Sequence, residues 1–183
     1  MRCAAPLAGA PAKQMQRRSL LKLGLGAAVL IGVAGAGVAL IKPGLVDGRL
    51  SPSARELMSA AALAVLGELL PPAGAARDAA LEAQLARLDL AIAALPAATR
   101  AELSQALGLL GTAAGRYALV GLASPWAKAG PADVQQALNA MRLSGSNTKQ
   151  QIYHALRDLN SIAFFTEPAN WTLAGYPGPR VLA

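Results

Sequence analysis

The stretch from Ala75 to Leu95, AARDAALEAQLARLDLAIAAL, decides the fold class. Leu81, Leu85, Leu88, Ile92 and Leu95 recur at three- and four-residue spacing, so a helix gathers them on one face. Arg77, Asp78, Glu82 and Arg87 fall largely off that face, as a half-buried helix requires. A strand would need alternation with period two, and the chain shows no such pattern. Pro71-Pro72 and Pro96 bracket the segment and mark where neighbouring helices must stop and start.

The same reading extends in both directions. Ser51-Pro52 supplies a cap and a first-turn proline, and Ser53 to Glu56 adds a candidate capping box. Leu57, Ala61, Val65 and Leu69 then repeat at fourfold spacing up to Pro71. Beyond Pro96, Thr99 is expected to cap a third helix through Leu110, and residues 111–123 read as a short fourth helix ended by Ser124-Pro125. Gly130-Pro131-Ala132-Asp133 opens another, with Val134, Leu138 and Met141 inward. Asn147 or Thr148 caps the last long helix, which runs to about Phe165 with Ile152, Leu156, Leu159 and Ile162 or Ala163 inward. A core of Leu and Ala with few aromatic and β-branched residues agrees with an all-α bundle. The expected division is a signal region at 1–42, a linker at 43–50, a helical domain at 51–166 and an irregular Pro/Gly-rich tail at 167–183.

The N-terminal region carries an address. Arg17-Arg18-Ser19-Leu20-Leu21-Lys22 runs into residues 23–41, which contain no charge. This resembles the twin-arginine export signal, with Arg17, Arg18, Leu20, Leu21 and Lys22 on the motif positions. That route carries folded proteins, often because a cofactor is inserted first. Ala34-Gly35-Ala36 offers the small residues of a cleavage site, after Ala36. Left uncut, residues 23–41 span about 28 Å as a helix, close to the hydrocarbon thickness of a bilayer. The expected location is the periplasm, with a tether at the inner membrane if the segment is kept.

Charge and cysteine narrow the chemistry. The formal charge of +7 arises in the leader, because residues 1–42 hold six of the seventeen Lys/Arg and none of the ten acids. The remainder is nearly neutral and has no basic stripe interleaved with aromatics, which argues against nucleic-acid binding. Cys3 is the only cysteine and His154 the only histidine. The exported part therefore has no means to form disulfides, thiolate zinc sites, iron–sulfur clusters or a covalent c-type haem. Asp158 and Glu167 read as solvated or capping groups, and Arg116 beside Tyr117 as a snorkelling or paired arginine next to a core tyrosine. No glycine-rich phosphate loop and no catalytic set stand out, so no cofactor is expected in this chain.

The C-terminal segment is richer. Phe164-Phe165-Thr166-Glu167-Pro168-Ala169-Asn170-Trp171 leads to Gly175-Tyr176-Pro177-Gly178-Pro179. Both phenylalanines, one of two tryptophans and one of three tyrosines crowd together there. Such a segment either folds back to complete a core or serves as a docking arm, and Trp126 suits either. Aromatics on a stiffened backbone bury much area at little ordering cost.

With the leader and the helical body, this ending resembles the small subunit (subunit 3) of gluconate 2-dehydrogenase-type flavoprotein complexes. The correspondence falls on Phe164, Phe165, Pro168, Trp171, Gly175, Tyr176, Gly178 and Pro179, with Arg157-Asp158-Leu159 on the preceding helix. The resemblance implies a non-catalytic accessory subunit. Its partner is a signal-less FAD-dependent large subunit of the glucose–methanol–choline type, a cytochrome c subunit accepts electrons, and the twin-arginine translocase exports the assembly. Phe164, Phe165, Trp171, Gly175, Tyr176, Gly178 and Pro179 are then the partner-docking positions. The alternative is a stand-alone exported or membrane-tethered helical protein with an envelope or binding role.

Overall fold

The computed structural model describes residues 41–179. The leader positions Arg17, Arg18, Leu20, Leu21 and Lys22 and the candidate cleavage site after Ala36 lie outside the described residues, as does nearly all of the apolar stretch 23–41. The described part is mainly helical. Among the described residues, no helix is long and apolar enough to cross a membrane.

The stretch expected as a linker contains a tight antiparallel hairpin, β1 (Leu45–Val46) and β2 (Arg49–Leu50), with Leu45 opposite Leu50 and Val46 opposite Arg49. Asp47 and Gly48 form its two-residue turn with φ of 51° and 76°, the left-handed pair that Asp-Gly favours. The strands are too short for an alternating pattern to appear in sequence. They are held by the bundle: Leu45 N–H donates to Ser104 Oγ (3.0 Å) and Leu50 N–H to Asp89 Oδ1 (2.8 Å). Just before β1 the backbone lies directly on a helix. A Cβ on Gly44 would collide with Leu107 and the Ser104 carbonyl, and one on Gly108 with the Lys42 carbonyl.

Helix α1 (Pro52–Leu66) is the central element. Ser51 Oγ accepts from Ala54 N–H at 3.3 Å and Pro52 opens the first turn. With Ser51 as the cap, Glu56 lies too far along the helix to close a capping box. Ala54, Leu57, Met58, Ala61 and Ala62 are fully buried, and the alanines let neighbouring helices approach closely. Helix α2 (Ala75–Ala93) buries Leu81, Leu85, Leu88 and Ile92, as its periodicity requires. Gln84 lies on the same face and is fully buried. Arg55 joins α1 to α2 through Glu82 (2.6 Å) and Asp89 (3.3 Å).

Helix α3 (Ala97–Gly111) starts directly after Pro96, so Thr99 sits inside the first turn and does not cap it. The expected single helix over 111–123 is broken instead. Thr112 caps a short turn, α4 (Ala113–Gly115), and residues Arg116–Val120 widen into a π turn that ends at the left-handed Gly121. A side chain on Gly115 would strike the Leu109 carbonyl, and the buried Arg116 donates to the carbonyls of Leu122 and Ala123 (3.3 Å each). These two features redirect the chain. Tyr117, expected in the core, is largely exposed.

Trp126 is buried, and its indole N–H donates to the Leu110 carbonyl at 2.9 Å, which assigns it to the main core and not to the tail. Helix α5 (Pro131–Arg142) buries Val134, Leu138 and Met141. Helix α6 (Asn147–Phe165) is capped by Ser146, one residue before the nearer expected position, Asn147, with its Oγ accepting from Lys149 N–H. Packing at the far end of α1 is separate from the main core: Ala62, Leu66, Leu70 and Leu81 form a satellite cluster around Phe164.

Candidate docking surface

The end of α6 is fixed from two sides. From α2, Gln84 Nε2 donates to the Asn160 carbonyl (2.8 Å) and Arg87 Nε to the Ala163 carbonyl (2.9 Å), while Arg87 Nη2 reaches Gln84 Oε1 (3.3 Å). A guanidinium on the last turn of a helix also meets the negative end of its dipole. From downstream, Thr166 Oγ1 donates to the Ala163 carbonyl (2.9 Å), Asn170 Nδ2 to that of Phe164 (2.8 Å) and Trp171 Nε1 to that of Phe165 (2.7 Å). The carbonyls that a helix end leaves without partners are thus satisfied by side chains of the following segment.

Through residue 174 that segment is more regular than the irregular tail expected for 167–183. Two 3₁₀ turns, Pro168–Asn170 and Thr172–Ala174, wind it into a knob on the end of α6. Glu167 caps the first turn, as its capping reading anticipated. Gly175, at φ 75°, reverses the chain so that Tyr176 N–H bonds the Trp171 carbonyl at 2.9 Å and the two rings meet with centroids 5.6 Å apart. Gly178, at φ 94°, lies against the indole, where an added Cβ would stand 3.7 Å from Trp171.

The expected docking residues divide. Phe164 is only 3% exposed and belongs to the satellite core, so it is an internal anchor and a correction to the docking set. Phe165, edge-on to it at 5.3 Å, is 40% exposed, and Tyr176 is 50% exposed. Trp171 is half-buried, Gly175 and Gly178 shape the backbone, and Pro179 is exposed. Leu173, not singled out from sequence, and Ile162, read there as a candidate inward residue, are each 57% exposed and extend the apolar surface. Of the alternatives Ile162 and Ala163, it is Ala163 that points inward. The signal for Ile162 was present: it lies three residues before Phe165, on the same side of α6.

Arg157 and Asp158 pair at 2.6 Å on the exposed side of α6, and the Arg157 guanidinium lies 5.7 Å from the centre of the Tyr153 ring. The hydrogen bond to Asp158 raises the Arg157 pKa above its ordinary value, against the lowering effect of desolvation. A raised pKa stabilises the fold below it and loses that contribution only as pH climbs through it, far above neutrality, so Arg157 is a permanent cation. His154 is exposed, with its ring 5.1 Å from that of Tyr153. Among the described residues, no group of three or more His, Cys, Asp or Glu side chains is placed to hold a metal ion. No protein-family model, curated protein or solved structure matches this chain.

Proposed function

We propose that this chain is a non-catalytic accessory subunit. It escorts a signal-less FAD-dependent dehydrogenase of the glucose–methanol–choline type through the twin-arginine pathway and stabilises it in the periplasm. One observation carries the reading: a pre-organised aromatic knob projects from the end of α6, and it is built from Phe165, Trp171, Gly175, Tyr176 and Gly178. All five are among the eight positions on which the likeness to the gluconate 2-dehydrogenase small subunit rests. The exposed Phe165, Leu173 and Tyr176 contribute little to the core. Large apolar groups held in place outside a core suit a partner's pocket. In this reading FAD belongs to the partner, and a cytochrome c subunit is a further member of the complex.

The test is co-expression of the flavoprotein with and without this chain, followed by flavin-linked dehydrogenase activity in the periplasmic fraction. The expected result is delivery only when this chain is present. Equal delivery without it overturns the reading.

A further inference from the structure

A groove of about 720 Å³ opens between α1, α5 and α6. Its floor is apolar, from Val65 of α1 and Leu138 of α5. One wall carries the carboxamides of Gln135, Gln136 and Asn139. The other carries Tyr153, Arg157 and Ser161, which follow one another at four-residue spacing along α6. Phe165 is the next residue on that ridge, one turn beyond Ser161. The ridge from Tyr153 to Phe165 is therefore about 18 Å long and leads from the groove to the knob.

We infer that the partner's docking extends along this ridge, with an extended, carboxylate-bearing segment of the flavoprotein lying in the groove while the knob enters its body. The inference rests on the accessory-subunit reading. Charge selects the segment. Among the described residues, Arg157 is the one charged group lining the groove, and no acid lines it. Its Nε and Nη2 are turned to Asp158 Oδ1, which leaves Nη1 outside that pair. The salt bridge is half-exposed and weakly held, so the guanidinium can bridge Asp158 and a second carboxylate.

Backbone chemistry selects its conformation. A helix satisfies its own N–H and C=O groups, whereas an extended segment presents them to a binding surface. The carboxamides of Gln135, Gln136 and Asn139, each able to donate and accept, are suited to those groups. Val65 and Leu138 receive an apolar side chain between them.

Photo-crosslinking in the co-expressed complex separates this inference from the reading beneath it. A benzoyl-phenylalanine is placed at Gln136 in the groove wall in one variant and at Tyr176 in the knob in another. The expected result is that both capture the flavoprotein, and that position 136 maps to a non-helical peptide containing Asp or Glu. In addition, Arg157→Glu lowers recovery of the flavoprotein by about tenfold at low salt, whereas Arg157→Lys lowers it less. Capture from Tyr176 with none from Gln136, capture of a helix, or capture of a second copy of this chain at Gln136 overturns the groove inference alone. No capture from either position overturns both.

Discussion

At the scale of single residues, neighbours in sequence have opposite surroundings. Phe164 fills the satellite core and Phe165 stands beside it in the open. Phe164→Ala is expected to destabilise the domain by about 3–5 kcal/mol, as deletions of buried aromatics do, with urea unfolding as the measurement. Phe165→Ala is expected to stay within about 1 kcal/mol of the parent on the same curve, yet to lose recovery of the flavoprotein in a pull-down. The double variant Trp171→Ala, Tyr176→Ala removes the stacked pair and is expected to keep the helical circular dichroism signal and lose the partner. A large melting shift with intact pull-down would assign the knob to core completion instead.

At the scale of elements, α2 acts on the knob through the end of α6. Arg87 holds the Ala163 carbonyl and Gln84 the Asn160 carbonyl. Arg87→Ala is expected to raise amide hydrogen exchange across residues 166–176 by about tenfold or more, while the exchange of α1 stays as in the parent. Uniform acceleration through the whole bundle would mean that Arg87 supports the core rather than the last turn. The Asn160 Oδ1 is buried without a hydrogen-bond partner among the described residues.

The helices were legible where apolar residues repeat: Leu81, Leu85, Leu88 and Ile92 of α2, and Val134, Leu138 and Met141 of α5, are buried as their spacing requires. Boundaries were less legible, because Thr99 and Asn147 are good capping residues that lost to Pro96 and Ser146 nearby. The break at Gly115 depends on a close approach to the Leu109 carbonyl, a tertiary fact that composition does not carry. The hairpin at 45–50 had a local signal in Asp47-Gly48, obscured by strands of two residues. For the knob, the sequence marked the aromatic cluster. It did not separate Phe164 from Phe165, since the inward turn of a helix end is set by what packs against it.

At the scale of the whole molecule, the proposed accessory role would divide labour between chains. The isolated domain from residue 37 onward is expected to show no flavin or haem absorbance and no dehydrogenase activity with sugar acids or alcohols. Stoichiometric flavin in a preparation free of any partner would refute the accessory role. Arg17→Lys with Arg18→Lys keeps the charge but replaces guanidinium by ammonium groups, which are not equivalent. Both this chain and the flavoprotein are then expected to stay in the cytoplasm, measured by fractionation. Periplasmic recovery of both would sink the export reading.

The backbone contact between residues 42–44 and α3 has a mechanical consequence. Gly44 and Gly108 lie so close that the chain is seized as soon as it enters the body, and Ser51 N–H closes onto the Gly44 carbonyl at 2.9 Å. The point of entry is therefore fixed beside the first turn of α1. Phe164 sits with Leu66 at the opposite end of that helix, about 22 Å away along its axis. Force applied to the N-terminal strap would pass through α1, the helix with the most buried residues among those described, before it reached the knob. Under the proposed role, a cargo gripped at Trp171 and Tyr176 would be towed by a rigid rod, with the hook and the hitch clear of each other.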